Sequence, residues 1–270
     1  MMAMNNLHHG AGLTHQLLLA LPFIMAIILY ISAVLLSLQR QRPWHWHRSV
    51  FWIAGCLSAI AAVSGPLARR AVFDFEAHMA GHLLLGMLAP LLMVLGAPVT
   101  LMLRTLRPRS ARRLSRLLRS WPVRVISDPL FASILNVGGL WLLYTTNLYS
   151  AMHGSNPLHA LIHLHVFLAG YVFTAAIIYI DPTPHRASFV YRSGALIAAL
   201  AAHGMLSKYI YAHPPAGVSA IQAESGGMLM YYGGDAVDVI LICILCYQWY
   251  KRCRPRIPLS VSKPEGFPQN

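Results

Sequence analysis

Residues 76–103 have the sequence EAHMAGHLLLGMLAPLLMVLGAPVTLML, and this stretch decides the fold. After Glu76 it contains no Asp, Glu, Lys or Arg, and it exceeds the roughly 20 residues that a helix needs to cross a bilayer. The whole 270-residue chain has the same character, with 11% charged residues and a mean hydropathy of +0.54. A soluble domain carries about 25% charged residues. The composition therefore excludes a disordered chain, a nucleic-acid-binding domain and an ordinary cytosolic enzyme.

Seven apolar runs of this kind predict seven membrane-spanning segments in one domain that covers residues 1–270. The runs are continuous, whereas the strands of a membrane barrel alternate polar and apolar residues. The predicted fold class is therefore an all-α integral membrane protein, a single bundle of seven transmembrane helices. Residues 254–270 are predicted to form a flexible tail. The predicted spans are 17–38, 50–67, 76–103, 130–149, 157–180, 190–210 and 228–250.

The positive charges are unevenly divided between the two sets of loops. One set, together with the C-terminal tail, holds 18 Lys and Arg side chains, and the other holds three, namely Arg69, Arg70 and Lys208. Because cytoplasmic loops are enriched in Lys and Arg, we expect the N-terminus outside and the C-terminus in the cytoplasm. This predicts a multi-pass protein of the bacterial cytoplasmic (inner) membrane, with its outer side facing the periplasm.

Eight arginines between Arg104 and Arg124 form the largest group of positive charges. Within this group, leucines and arginines fall on different stripes of a short amphipathic segment at about 109–121, which Ser110 is predicted to cap. Such a segment lies on the anionic cytoplasmic leaflet and also serves as a topology anchor. We therefore expect these arginines to contact anionic membrane lipids. No nucleic acid partner is expected.

Eleven of the 14 histidines lie on or near the predicted outer side of the membrane. His78 and His82 are four residues apart near the outer start of the third span, and His159 and His163 repeat that spacing in the fifth. Side chains with this spacing lie on one face of a helix, one turn apart. His203 lies in the outer half of the sixth span.

These histidines and one aspartate are predicted to share a depth. Counted at 1.5 Å per residue from the ends of their helices, His82, His163, His203 and Asp235 lie roughly 9–12 Å below the outer surface. Ionisable groups inside a membrane are costly and mark functional sites. We therefore expect four helices to bring these groups together around a shared cation, shared protons or water.

Metal binding is the chemistry that this residue pattern favours. Imidazole pairs at this spacing chelate metal ions, and nearby methionine thioethers favour Cu(I). The predicted cofactor is copper, with Cu(I) favoured, while zinc and haem stay open. The predicted metal ligands are His78, His82, His159, His163, His203 and Asp235, and further ligands or residues that orient the imidazoles are Asp74, Met79, Asp238 and Met228.

Each of these residues also has an interpretation without metal. A histidine in a helix is commonly packed and hydrogen-bonded, and the aspartates can fix imidazole tautomers instead of binding metal. Cys243 and Cys246 lie in apolar sequence far from the histidines and are interpreted as packing residues. The chain has no phosphate-binding loop, no nucleophile elbow and no pair of glutamates. No enzyme activity is predicted.

Several of these segments, taken in order, resemble the CtaG-type cytochrome c oxidase assembly factors of the multi-span kind. The resemblance covers roughly residues 15–250. The segments that carry it are Phe75–Leu85 with both histidines, Pro90-Leu91-Leu92, Leu95-Gly96-x-Pro98, His159-x-x-x-His163-x-His165, Gly170 and Phe173, Asp181-Pro182-x-Pro184, His203 and Met230–Asp235.

The resemblance implies a seven-helix membrane protein that is needed to mature haem–copper oxidases, at the copper step. It carries the family motif onto the six predicted metal ligands, whereas Asp74 and Asp238 rest on spacing alone. The implied partners are the oxidase catalytic subunit, whose copper is bound by buried histidines, and a periplasmic copper donor. The expected role is that of an assembly factor and not of an enzyme.

Two other classes of protein stay open from the sequence. A redox protein would hold haem b between one histidine of the third span and one of the fifth, which leaves their i,i+4 partners unexplained. A metal- or proton-coupled transporter would use the layer of histidines and aspartates as a relay.

Overall fold

The structure is a computed structural model that describes the backbone of residues 2–254 and the side chains from Gln16 onward. Residues 255–270 of the predicted tail lie outside this range. Within residues 2–254 all regular secondary structure is helical. The elements are α1 (Met2–Gln39), α2 (Trp46–Val63), α3 (Gly65–Arg70), α4 (Phe75–Leu83), a π-helical turn (Leu84–Leu88), α5 (Ala89–Leu95), α6 (Pro98–Thr105), α7 (Pro108–Leu118), α8 (Trp121–Ile126), α9 (Pro129–Thr145), α10 (Leu148–His153), α11 (Asn156–Ile177), α12 (Phe189–Ala212) and α13 (Ala220–Cys253).

Six segments within residues 2–254 are long and apolar enough to cross a membrane, which makes this a membrane protein. They are Gln16–Gln39, Trp46–Arg70, Phe75–Leu95, Asn156–Ile177, Phe189–Ala212 and Ala220–Cys253.

The predicted span at 130–149 corresponds to α9, an apolar helix of 17 residues. At 1.5 Å per residue α9 is about 26 Å long, slightly less than the hydrocarbon core. The Thr145 and Thr146 hydroxyls donate to Trp141 O and Leu142 O at 2.6 and 2.5 Å where the helix ends. A count of seven spans and the orientation of the termini stay predictions.

The predicted span at 76–103 is not one continuous helix. It is divided at Ala97, which has a left-handed backbone with φ of 51°, and α6 begins at the next residue, Pro98. A residue before proline is disfavoured in the right-handed helical region, so the helix ends here. The Asp181 carboxylate accepts hydrogen bonds from the backbone N–H groups of Val99 and Thr100, at 3.1 and 2.7 Å, and so caps α6.

A close backbone contact fixes α11 against the π-helical turn. A Cβ atom on Gly170 would collide with the carbonyl oxygen of Gly86, so only glycine fits at this position of α11. Small residues allow such close helix approach in membranes, and π-helical turns are common at functional sites. This contact places His163 of α11 beside His82 of α4.

The basic amphipathic segment is the helix α7, followed by α8. Ser110 does not cap it, because the helix begins at Pro108, with proline in its first turn, and Arg107 is the N-cap residue. Proline is favoured there because it lacks the N–H that would otherwise need a partner. None of the residues of α7 and α8 is fully buried, and their arginines are exposed.

Candidate metal centre

His82 and His203 form the most deeply buried pair of predicted ligands. Each side chain is 7% exposed, and their ring centroids are 6.3 Å apart with the ring planes at 29°. Both Nε2 atoms are buried and have no hydrogen-bond partner among the residues that the structure describes. A buried polar atom without a partner is costly, so two of them on facing histidines favour a shared ligand.

A cavity of about 20 Å³ lies between these two histidines and is called here the His82–His203 cavity. It is lined by Asp238, which is 4% exposed, by Asn136 of α9 and by apolar side chains such as Phe173. A volume of this size holds a single ion or water molecule and nothing larger. The cavity therefore combines two imidazoles, one carboxylate and one amide with apolar walls.

Two glycines allow the backbone to approach these rings closely. A Cβ atom on Gly234 of α13 would lie 2.6 Å from Cε1 of His203, and one on Gly86 would lie 3.3 Å from Cε1 of His82. Gly234 therefore lets α13 pack directly on the His203 ring, whereas Gly233 before it faces Leu83 of α4. This close packing restricts the orientations that the imidazole can adopt.

A second cavity, of about 30 Å³, is also lined by His82 and is called here the His78–His163 cavity. His78, His82, His163 and Tyr144 are among its lining residues. His78 Nε2 and the Tyr144 hydroxyl are hydrogen-bonded at 3.0 Å. His82 thus lines both cavities, and it is the one lining residue that they share.

An aromatic cluster surrounds His78. Its ring contacts those of Phe75, Tyr144 and Tyr149, and burial raises the pKa of Tyr149, in the short helix α10, to about 12. The exposed His153 ring lies 6.5 Å from that of His78. His78 therefore lies among aromatic rings near the end of the bundle where His153 is exposed.

The second predicted histidine pair is formed on α11. The rings of His159 and His163 are stacked, with centroids 4.1 Å apart, and His163 Nδ1 donates to the His159 carbonyl oxygen at 2.9 Å. A neutral His163 therefore carries its lone pair on Nε2. His163 reaches the His78–His163 cavity, whereas His159 is not among the lining residues of either cavity.

The two aspartates of α13 have different surroundings. Asp238 lines the His82–His203 cavity, whereas the side chain of Asp235 is exposed on the bundle surface. Asp235 still lies close enough to His203 and Asp238 to affect both electrostatically. Of the two carboxylates, Asp238 is therefore the one placed to contact an ion beside His203.

The remaining predicted residues lie elsewhere. Asp74 caps α4 through the Glu76 N–H, at 3.0 Å, and forms an ion pair with Arg70 at 3.3 Å. Met79 is fully buried in an apolar cluster, and Met228 is 48% exposed beside Lys208. These three side chains line neither cavity.

The described residues include no ready-made metal centre. Among the described side chains, residues 16–254, no three His, Cys, Asp or Glu lie in an arrangement that could hold a metal ion. The histidines instead meet around two small cavities that share His82.

Sequence reasoning missed two residues of these cavities, Tyr144 and Asn136. Both lie in the predicted span at 130–149. Asn136 is polar within an apolar run, which is a usable signal, because intramembrane polar groups are costly. Tyr144 gave no such signal, since tyrosine is common near the ends of membrane helices.

Comparison with known proteins identifies one family. The family model described as cytochrome c oxidase caa3 assembly factor (Caa3_CtaG) matches residues 28–252. This match covers most of the chain, including α4, α11, α12 and nearly all of α13.

Similar proteins occur in mycobacteria. An uncharacterized protein of Mycobacterium leprae is 28% identical over 244 residues, which make up 83% of this chain and 37% of that protein. Uncharacterized proteins of Mycobacterium bovis and Mycobacterium tuberculosis are each 34% identical over 172 residues, 61% of this chain and 26% of theirs. The chain thus spans well under half the length of these relatives. No solved structure matches it.

The family match confirms the resemblance that the histidine motifs indicate. The motif residues of α4, α11, α12 and α13 all lie inside the matched region, and those of them that line the cavities come from several helices. The chain belongs to the cytochrome c oxidase caa3 assembly factor family.

Proposed function

We propose that this protein binds copper at the His82–His203 cavity and delivers it to the catalytic subunit of a haem–copper oxidase. The observation that carries this proposal is the pair of buried Nε2 atoms on His82 and His203, which line one cavity without hydrogen-bond partners among the described residues. Imidazole nitrogen is a preferred ligand of copper. The family assigns the chain to oxidase assembly, and copper is the cargo that this donor set suits.

The charge of the cavity also suits a monovalent copper ion. Moving a cation into a membrane is costly unless a negative group compensates it. Asp238 lines the cavity beside the two histidines and supplies that negative charge. Cu(I) held by two neutral imidazoles beside one carboxylate is a neutral assembly, which suits the apolar surroundings.

The two cavities suggest a route for the ion. His163 and His78 line the second of the cavities that His82 lines, and the exposed His153 lies near His78. An ion that enters beside His153 would pass to His82 by exchange of one imidazole for another. The periplasm-facing position of this entrance and a periplasmic copper donor are parts of the proposal.

The size of the cavities favours an ion over haem. Sites for ligands larger than an ion have volumes of roughly 300–1,000 Å³. The two cavities that His82 lines measure about 20 and 30 Å³. His163 also lines a larger pocket of about 580 Å³, but it is the only histidine among the lining residues of that pocket, whereas haem held by two histidines needs a second one. A haem group between His82 and His203 would therefore require the helices to separate, whereas an ion fits between these two histidines as they are.

Metal analysis of the purified protein tests the proposal. Wild-type protein and the double variant His82→Ala with His203→Ala are loaded anaerobically with Cu(I), desalted, and assayed for copper and for their visible spectrum. We expect about one copper in the wild type and a loss of most of it in the double variant.

His165→Ala is the matched control. His165 lies on α11 and packs against Gly139, and it lines neither cavity. This control variant should keep the copper of the wild type. Equal copper in the double variant and the wild type would overturn the proposal, and a Soret band in the purified protein would favour the haem alternative.

A further inference from the structure

The arginine-rich helices α7 and α8 cover an apolar pocket of about 300 Å³, called here the hairpin pocket. Its wall is formed by Leu118 of α7, by Val123 and Ile126 of α8, and by side chains of α11 that include Val172 and Ala175. This volume lies at the lower end of the range for small-molecule sites. The pocket is separate from the two histidine cavities, with which it shares no lining residue.

The polar groups in the wall of the hairpin pocket are mostly bonded within the protein. The Asp181 carboxylate accepts from Val99 N, Thr100 N and the Thr100 hydroxyl, the last at 2.6 Å. The Ser127 hydroxyl donates to Val123 O at 2.6 Å. Because these groups are satisfied, the pocket offers mainly apolar surface, which suits a hydrocarbon chain better than a polar solute.

The exposed surface of the same helices, away from the pocket, is strongly basic. Residues 104–127 contain eight arginines and no acidic residue. Arg119 and Arg124 directly follow the pocket-lining residues Leu118 and Val123, and both are exposed. Arginine binds phosphate through a planar set of N–H donors. The apolar pocket matches the acyl chain of an anionic lipid, and the arginines match its phosphate.

Two exposed apolar side chains place α7 and α8 at a membrane interface. Leu117 is 60% exposed and Trp121 is 74% exposed, although neither is membrane-spanning. Tryptophan is enriched where the hydrocarbon core meets the headgroups. At that level an acyl chain can enter the hairpin pocket while its phosphate stays beside the arginines.

We propose that the hairpin pocket binds an acyl chain of an anionic phospholipid whose phosphate is held by Arg119 and Arg124. The bound lipid ties α7 and α8 to α11 and completes the packing at this end of the bundle. It is a specific site for one lipid, in contrast to the diffuse attraction of a basic surface for an anionic leaflet. This site is independent of copper binding.

Native mass spectrometry of the full chain tests this site. The protein is released from nanodiscs of phosphatidylcholine with a minor fraction of phosphatidylglycerol, and retained lipids are counted. We expect one phosphatidylglycerol to be retained by the wild type. Ala175→Phe fills the pocket and should abolish retention of either lipid, and Val172→Phe serves the same purpose if the first variant does not fold.

Charge variants separate a specific site from a general electrostatic field. Arg119→Gln with Arg124→Gln should lower the preference for phosphatidylglycerol over phosphatidylcholine at least threefold. The matched control, Arg107→Gln with Arg109→Gln, removes the same charge from residues that do not adjoin the pocket wall, and it should keep the preference. Equal retention in all variants, or an equal effect of both charge pairs, would overturn the proposal.

Discussion

The two cavities beside His82 are similar in size but differ in what their polar groups contact. In the His78–His163 cavity, His78 is hydrogen-bonded to Tyr144. In the His82–His203 cavity, the Nε2 atoms of both histidines are buried without such a partner among the described residues, and a carboxylate lies beside them. An imidazole that is already bonded must give up that bond to bind an ion. Under the proposed function, we therefore expect the copper ion to pass through the first cavity and to be held in the second.

The largest effect is expected for His82→Ala, because His82 lines both cavities. We expect Cu(I) affinity to fall about a hundredfold, which corresponds to about 2.7 kcal/mol, and to fall further than for His78→Ala or His203→Ala alone. Competition with a chromogenic Cu(I) chelator under anaerobic conditions measures this. If His78→Ala weakened binding more than His82→Ala, the assignment of the two cavities would be reversed.

A tenfold effect is expected for Asp238→Asn, which removes the charge that compensates the ion in the His82–His203 cavity. The corresponding cost is about 1.4 kcal/mol. Asp235→Asn is the matched control, because Asp235 lies three residues away on the same helix with an exposed side chain. It should change Cu(I) affinity less than twofold in the same competition assay. Equal effects of the two substitutions would mean that only the long-range charge matters.

A smaller effect is expected for Gly234→Ala, which tests the geometry of the His82–His203 cavity without removing a ligand. The new methyl group would lie 2.6 Å from Cε1 of His203, so the ring must rotate. An overpacking cost of about 1 kcal/mol predicts a roughly fivefold loss of Cu(I) affinity.

Gly204→Ala is the control for this substitution. A Cβ atom there would be 3.5 Å from the nearest side chain, which is an ordinary contact distance. Isothermal titration with Cu(I) compares the two variants. The same affinity in both would show that the orientation of the His203 ring does not control binding.

The smallest effect on equilibrium affinity is expected for Tyr144→Phe, in the His78–His163 cavity. The substitution removes the 3.0 Å hydrogen bond to His78, which contributes about 1 kcal/mol to the free energy of unfolding. Thermal unfolding should therefore begin at a lower temperature, while Cu(I) affinity changes less than twofold. Tyr149→Phe leaves the bond to His78 intact and is the control. A large loss of affinity would place the holding site at His78 instead.

Much of this arrangement could be predicted from local patterns. The long apolar runs predicted the six segments that are able to span a membrane, and the i,i+4 spacing predicted that His78 and His82 share a face of one helix. The first prediction depends on the length and hydrophobicity of the runs and the second on helix geometry, and both are local properties of the sequence. The family motifs pointed to the same helices.

Other features depend on packing between helices, which the sequence pattern does not specify. Asp235 was predicted as a metal ligand and Asp238 only as a further ligand or orienting residue, yet α13 packs so that Asp238 is buried and Asp235 is exposed. The helix that begins after the break at Ala97 is capped by Asp181, more than 80 residues along the chain. The bond between Tyr144 and His78 likewise joins helices that are far apart in sequence.

X-ray absorption spectroscopy of the Cu(I)-loaded, full-length protein tests the central claim most directly, because it reports the atoms bound to the ion. The account predicts a first coordination sphere of imidazole nitrogen, with the multiple-scattering signature of histidine, that is lost when both His82 and His203 are replaced by alanine. A spectrum dominated by sulfur, unchanged by those substitutions, would place copper at methionine or cysteine and contradict the account.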